Sequence, residues 1–112
     1  MTAATYNLTI DQGSDFAIQL TLAENGSAKD LTGYSARAQL RPTKASSTLS
    51  ATFTCTVTDA SAGIVRMALG NSVTAALTAG IYYYDLEIFT SGDGVVTRLI
   101  EGQATINQEV TR

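Results

Sequence analysis

The sequence holds no histidine and no tryptophan, and only one cysteine and one proline in 112 residues. Without histidine there is no Ser-His-Asp triad, no histidine general base and no His-ligated zinc or iron. A lone cysteine, Cys55, excludes an internal disulfide framework and any multi-cysteine metal cluster. Charge is sparse as well. Lys and Arg number 7 against 10 Asp and Glu, charged residues make up 15% of the chain, and the net charge is −3. That balance leaves no basic footprint for nucleic acid. Long apolar runs are missing too: the longest, Ile81 to Tyr84, falls far short of the ~20 residues of a membrane helix. The N-terminal residues show neither the basic nor the apolar region of a signal peptide, so the expectation is a soluble protein made in the cytoplasm. Cys55 fits a reducing site of synthesis.

What is present is threonine (17 residues), alanine (16) and a hydrophobic content of 45%, too high for a disordered polar chain. The length suits a single domain over residues 1–112, with residues 1–5 as a flexible N-terminal arm. Period-2 alternation runs through the chain. Tyr6, Leu8 and Ile10 make a first strand; Phe16, Ile18, Leu20 and Leu22 make a second, predicted to form a hairpin with the first across residues 11–15. Asn25-Gly26 marks a tight turn. Tyr34, Ala36, Ala38 and Leu40 alternate with Ser35, Arg37, Gln39 and Arg41 until Pro42 ends the strand. Residues 43–50 read as a long mobile loop. Ala51, Phe53, Cys55 and Val57 then face one way, and Thr52, Thr54, Thr56 and Thr58 the other; β-branched threonine favours extended backbone while keeping its face polar.

Ile64 to Leu69 is a further strand with Arg66 on its polar face. The one helix candidate is Ser72 to Ala79, capped by Ser72 and stopped by Gly80. Ile81 to Thr90 is the longest strand. Tyr82, Tyr84, Leu86 and Ile88 share one face, and Ile81, Tyr83, Asp85, Glu87 and Phe89 the other; which of the two is buried stays open. After a turn at Ser91 to Gly94, Val95 to Ile100 returns, and Gln103 to Val110 closes the chain beyond a bulge or bend at Gly102. The expected fold is all-β: an antiparallel, immunoglobulin-like β-sandwich of seven to eight strands with one short connecting helix.

Several residues could carry chemistry. Asp85 and Glu87 stand two apart on one strand face, ~7 Å from each other, the span of a glycosidase acid and base. The plainer reading is a solvent-facing row paired with Arg98 or another arginine. Loop aspartates Asp11, Asp15, Asp59 and Asp93 could serve calcium but lack a dense Asp-rich run, and read as turn-stabilising side chains. Cys55 lies on an apolar face and reads as a buried, inert thiol. The sequons at Asn7 and Asn25 read as chance in so threonine-rich a chain. Gly92-Asp93-Gly94 precedes no helix and so makes no phosphate cradle.

The order of motifs is itself informative. Asp30-Leu31-Thr32-Gly33-Tyr34 leads into Ala36 to Arg41; Val57 to Gly63 follows; then Leu77-Thr78-Ala79-Gly80 leads into Ile81 to Glu87; Val96 to Gly102 precedes Glu109 to Arg112. This set resembles the N-terminal domain of tailed-bacteriophage baseplate upper proteins and related short cyanophage virion proteins. The resemblance implies a sandwich fold, no catalysis and no cofactor, and a docking role in the virion among other phage structural proteins, as a homo-oligomer, with no nucleic acid, membrane or small-molecule substrate as partner. The sequence stops after this region, without a coiled coil or receptor-binding region, which adds capsid decoration as a second expectation. A carbohydrate-binding module built on Tyr83 is a third, and a small hydrolase on Asp85 and Glu87 a fourth. The surface contact residues expected are Tyr83, Phe89, Arg37 and Arg66.

Overall fold

A computed structural model describes residues 4–24 and 26–110. The chain runs β1 (Ala4–Thr5), β2 (Leu8–Asp11), β3 (Phe16–Thr21), β4 (Ala23–Glu24), β5 (Ser27–Ala28), β6 (Ser35–Arg41), β7 (Ala51–Asp59), β8 (Ile64–Leu69), α1 (Asn71–Ala76), β9 (Gly80–Phe89) and β10 (Val96–Asn107). A 3-10 turn, Ser91–Asp93, joins the last two strands. Eight strands form one sheet in the order β1-β10-β9-β6-β7-β8-β3, with β2 beside β10; β4 and β5 make a separate small hairpin.

The sheet is mixed and curled rather than a purely antiparallel sandwich. β1 and β2 both run parallel to β10, through Ala4 opposite Ile100 and Leu8 opposite Ala104. The hairpin expected between the first two long strands does not form. β2 joins β10 while β3 pairs antiparallel with β8, because the apolar stripes Leu8/Ile10 and Phe16/Ile18/Leu20 serve opposite layers of the core. β7 makes the curl: Ala51 to Phe53 pair with β6, and from Thr54 onward the strand pairs with β8.

The inward residues of both layers meet in one core. Leu40, Leu86 and Ile88 come from one side, Val65 and Met67 from the other, all fully buried. Phe53 packs edge-on against Phe16 at 6.3 Å and against Tyr84 at 6.1 Å. On β9 the buried face is that of Tyr84, Leu86 and Ile88, so Tyr83, Asp85, Glu87 and Phe89 face outward. The Tyr84 hydroxyl donates to the Tyr6 carbonyl at 2.5 Å, and burial pushes its pKa up to about 12.

The expected break at Gly102 is absent. β10 is continuous, and its bulge lies instead between Arg98 and Ile100, where Leu99 is the extra residue. A bulge lets two consecutive side chains turn to one side, and both Leu99 and Ile100 are buried. Gly102 serves another purpose. A Cβ there would strike the Tyr6 carbonyl, so glycine lets the N-terminal segment approach β10. The helix spans Asn71–Ala76 rather than 72–79, with Gly70 at its N-cap. Its start is held from afar, by Asp15 accepting from the Asn71 backbone and side-chain N–H groups at 2.8 and 2.9 Å. Thr74, fully buried, donates to the Ser14 carbonyl at 2.8 Å. Residues 42–50 have no regular structure but are tied down by Arg41, which donates to the Ser46 and Ser47 carbonyls. Of the predicted arm, Ala4 and Thr5 form β1 and Met1 to Ala3 lie outside the described residues, as does Asn25 of the predicted turn.

Candidate functional site

The outward face of β6, β9 and β10 gathers a dense set of charged side chains around Tyr83. Strand register sets three rows across it. Arg37 stands opposite Glu87, and Glu87 opposite Arg98; Gln39 stands opposite Asp85, and Asp85 opposite Glu101; Arg41 stands opposite Tyr83, and Tyr83 opposite Gln103. Lys44, from the 42–50 loop, reaches over the second row to Glu101 at 3.2 Å. All of these side chains but Gln103 line an open trough of about 500 Å³. Four of the 7 cationic side chains in the chain (Arg37, Arg41, Lys44, Arg98) lie here.

The charges are paired in a ladder. Arg37 donates to Glu87 at 2.9 Å and to Asp93 at 3.3 Å, and its guanidinium covers the Phe89 ring at 4.4 Å. Arg98 lies 3.3 Å from Asp85 and 3.6 Å from Glu101. Arg41 has no carboxylate partner among the described residues and donates to Gln39 at 2.8 Å as well as to the loop carbonyls. Asp85, at the centre, faces Glu101 directly, a like-charge pair that is unfavourable unless neutralised. Burial first, then Glu87 and Glu101, hold its carboxyl above the ordinary carboxylate range, against the pull of Arg98 and Arg41. Side chains half exposed in such a network contribute little to stability individually. What they offer is a patterned surface of donors, acceptors and one phenol.

Of the expected contact residues, Tyr83, Phe89 and Arg37 lie on this face; Arg37 covers Phe89, and Tyr83 stands six residues along β9 from Phe89. Arg66 does not lie there. It projects from β8 on the opposite side of the molecule, between Thr56 and Gln19, with no ion-pair partner among the described residues. The Asp85 and Glu87 carboxylates are each engaged by an arginine, as the plainer reading of the sequence had it. Glu101 and Lys44 are the members that the sequence reading missed. Asp11, Asp15, Asp59 and Asp93 do not converge: Asp11 accepts from Asn107, Asp15 holds the helix start, Asp59 accepts from Ser61 and the Ala62 N–H, and Asp93 pairs with Arg37. Cys55 faces the core, and burial raises its thiol to about 11, so it is protonated near neutral pH.

Comparison with solved structures identifies the architecture. The chain shares its fold with a phage protein domain. That domain is the N-terminal domain of phage TP901-1 ORF48, matched with a TM-score of 0.60 at 14% identity over 96% of this chain and 99% of that one. The resemblance stated from the motifs therefore holds at the level of the fold. InlP of Listeria monocytogenes matches with a TM-score of 0.50 at 17% identity, over 94% of this chain but only 28% of InlP. A family 123 glycoside hydrolase from Clostridium perfringens matches at 0.42 and 11% identity, over 24% of its own length. No family model and no curated protein matches the sequence. Among the described residues no helix is long and apolar enough to cross a membrane.

Proposed function

We propose that this chain is a non-enzymatic structural protein of a tailed-phage virion, a docking module of the baseplate or tail-fibre attachment region. The observation that carries this reading is end-to-end likeness: the chain and the phage domain cover one another almost completely, so the whole fold and not a fragment is shared. The docking surface is the trough on β6, β9 and β10, where Arg37, Tyr83, Asp85, Arg98 and Glu101 present alternating donors and acceptors. Charged and aromatic groups in a complementary pattern set partner choice and register more than raw affinity. In a symmetric particle, repetition of a modest contact gives the avidity. The partners are other phage structural proteins, and the place of action is the virion.

Immunogold labelling of particles of a phage encoding the protein tests this. Label at the tail end supports the reading. Label confined to the head replaces it with capsid decoration, and unlabelled particles that contain no trace of the chain by mass spectrometry overturn a virion role altogether.

A further inference from the structure

The two outer edges of the curled sheet are built differently. One edge is made of β1 and β2, two short pieces separated at Tyr6 and Asn7, with the Asn7 side chain accepting from the Gln103 N–H between them. Breaks and short lengths are how proteins guard a strand edge against pairing. The other edge is β3, six unbroken residues, Phe-Ala-Ile-Gln-Leu-Thr. It carries no charge, no proline, no glycine and no bulge, and pairs in unbroken register with β8 alone. Its second row of backbone N–H and C=O groups meets no strand among the described residues. No described backbone hydrogen bond runs from Phe16 to Thr21 to any part of the chain other than β8.

The side chains of this edge are unfinished as well. Phe16 and Ile18 point inward, yet are only half-buried, whereas their partners on β8, Leu69 and Met67, are 3% and 0% exposed. The outer face of β3, Ala17, Gln19 and Thr21, is uncharged. The nearby carboxylate Asp15 is already engaged at the start of α1.

We propose that β3 is the docking edge for a second copy of this chain, with two β3 strands paired antiparallel about a two-fold axis normal to the sheet. The identical strand fits because a two-fold of that kind keeps the same face up in both copies. Residues opposite each other must then share a face, so the pairing centres on Ile18 or on Gln19. With Ile18 at the centre, Ile18 faces Ile18 and Phe16 faces Leu20; with Gln19 at the centre, Ile18 faces Leu20 and Phe16 lies opposite Leu22, one residue past the end of β3, while the neutral Ala17, Gln19 and Thr21 face one another outside. No like charges meet across it. Backbone hydrogen bonds supply the contact, as in strand addition generally. This inference deepens the docking reading and rests on it for a place in a particle, but the pairing stands or falls in solution.

The test is sedimentation or light scattering of the full chain from about 1 µM to about 1 mM, spanning the range of a small interface. The wild type is expected to pass from monomer to dimer. A17E/Q19E puts carboxylates opposite one another in both registers, and the carboxylate introduced at position 19 gains Arg66 as a neighbour within its own chain. This variant should dissociate at least about tenfold more readily while melting as the wild type does. Mixing it with A17K/Q19K should restore a heterodimer. A wild type that stays monomeric throughout, or a dimer unmoved by A17E/Q19E, overturns the proposal. A stable dimer in solution, with particles that take no label and hold no trace of the chain, overturns the virion reading and leaves the strand pairing intact.

Discussion

Asp85 shows how one position carries opposing forces. It was legible from the sequence as half of a carboxylate pair, but its nearest acidic neighbour across the sheet is Glu101, not Glu87 alone. Desolvation and these two acids raise its pKa despite Arg98 and Arg41. The folded state then binds the Asp85 proton more tightly than the unfolded chain does. Its contribution to stability is full below the unfolded pKa and is lost as pH rises through the higher folded value. Asp85→Asn removes that loss. Relative to wild type, the variant should therefore become progressively more favourable in melting temperature between about pH 3 and about pH 7. Thermal melts at the two pH values decide it; an Asn variant that suffers more at pH 7 would mean that the Arg98 pairing outweighs burial and repulsion.

The strands were legible wherever alternation was regular, as at Thr52 to Thr58 and Ala36 to Arg41. The helix was displaced because its cap is a long-range contact from Asp15, which no local pattern reveals. The Leu99 bulge explains why Glu101 was missed. Arg98 and Glu101 are three apart, which in a regular strand puts them on opposite faces. One extra residue between them brings both to the outer face, within 3.6 Å. The consecutive Leu99-Ile100 pair in an alternating stretch was the available signal. Deleting Leu99 leaves Arg98 opposite Glu87 and Ile100 opposite Leu86, now as neighbours in an ordinary ladder, with Glu101 still outward. The bulge is therefore dispensable for the faces and matters for the added core side chain. The deletion variant should fold with unchanged β content by circular dichroism. It should lose about 2–4 kcal/mol in a denaturant titration, close to the loss in Leu99→Ala. A deletion far costlier than the alanine variant would show that the bulge's twist, not Leu99's packing, is what the strand needs.

At the scale of the molecule, the mainly β class and the size of the sheet follow from the alternation, but its curl and topology do not. The parallel pairing of β1 and β2 with β10 joins opposite ends of the chain, and alternation records which face a residue takes, not which strand lies beside it. The same gap left Arg37 and Arg66 indistinguishable as outward arginines on strands. The fold places them on opposite sides: Arg37 within the charged trough over Phe89, Arg66 between Thr56 and Gln19. This makes a matched comparison, one substitution on two faces. Arg37→Ala loses its partly exposed pairs with Glu87 and Asp93 and its cover of the Phe89 ring, so both alanine variants should fold and melt close to the wild type. If the trough is the docking surface, Arg37→Ala should reduce the chain's abundance in purified particles at least about tenfold, measured by mass spectrometry against the major capsid protein, and weaken attachment further as salt rises. Arg66→Ala should leave abundance unchanged. The opposite pattern, with Arg66 needed and Arg37 not, would move docking to the threonine-lined face and leave the trough's ion pairs as ordinary surface.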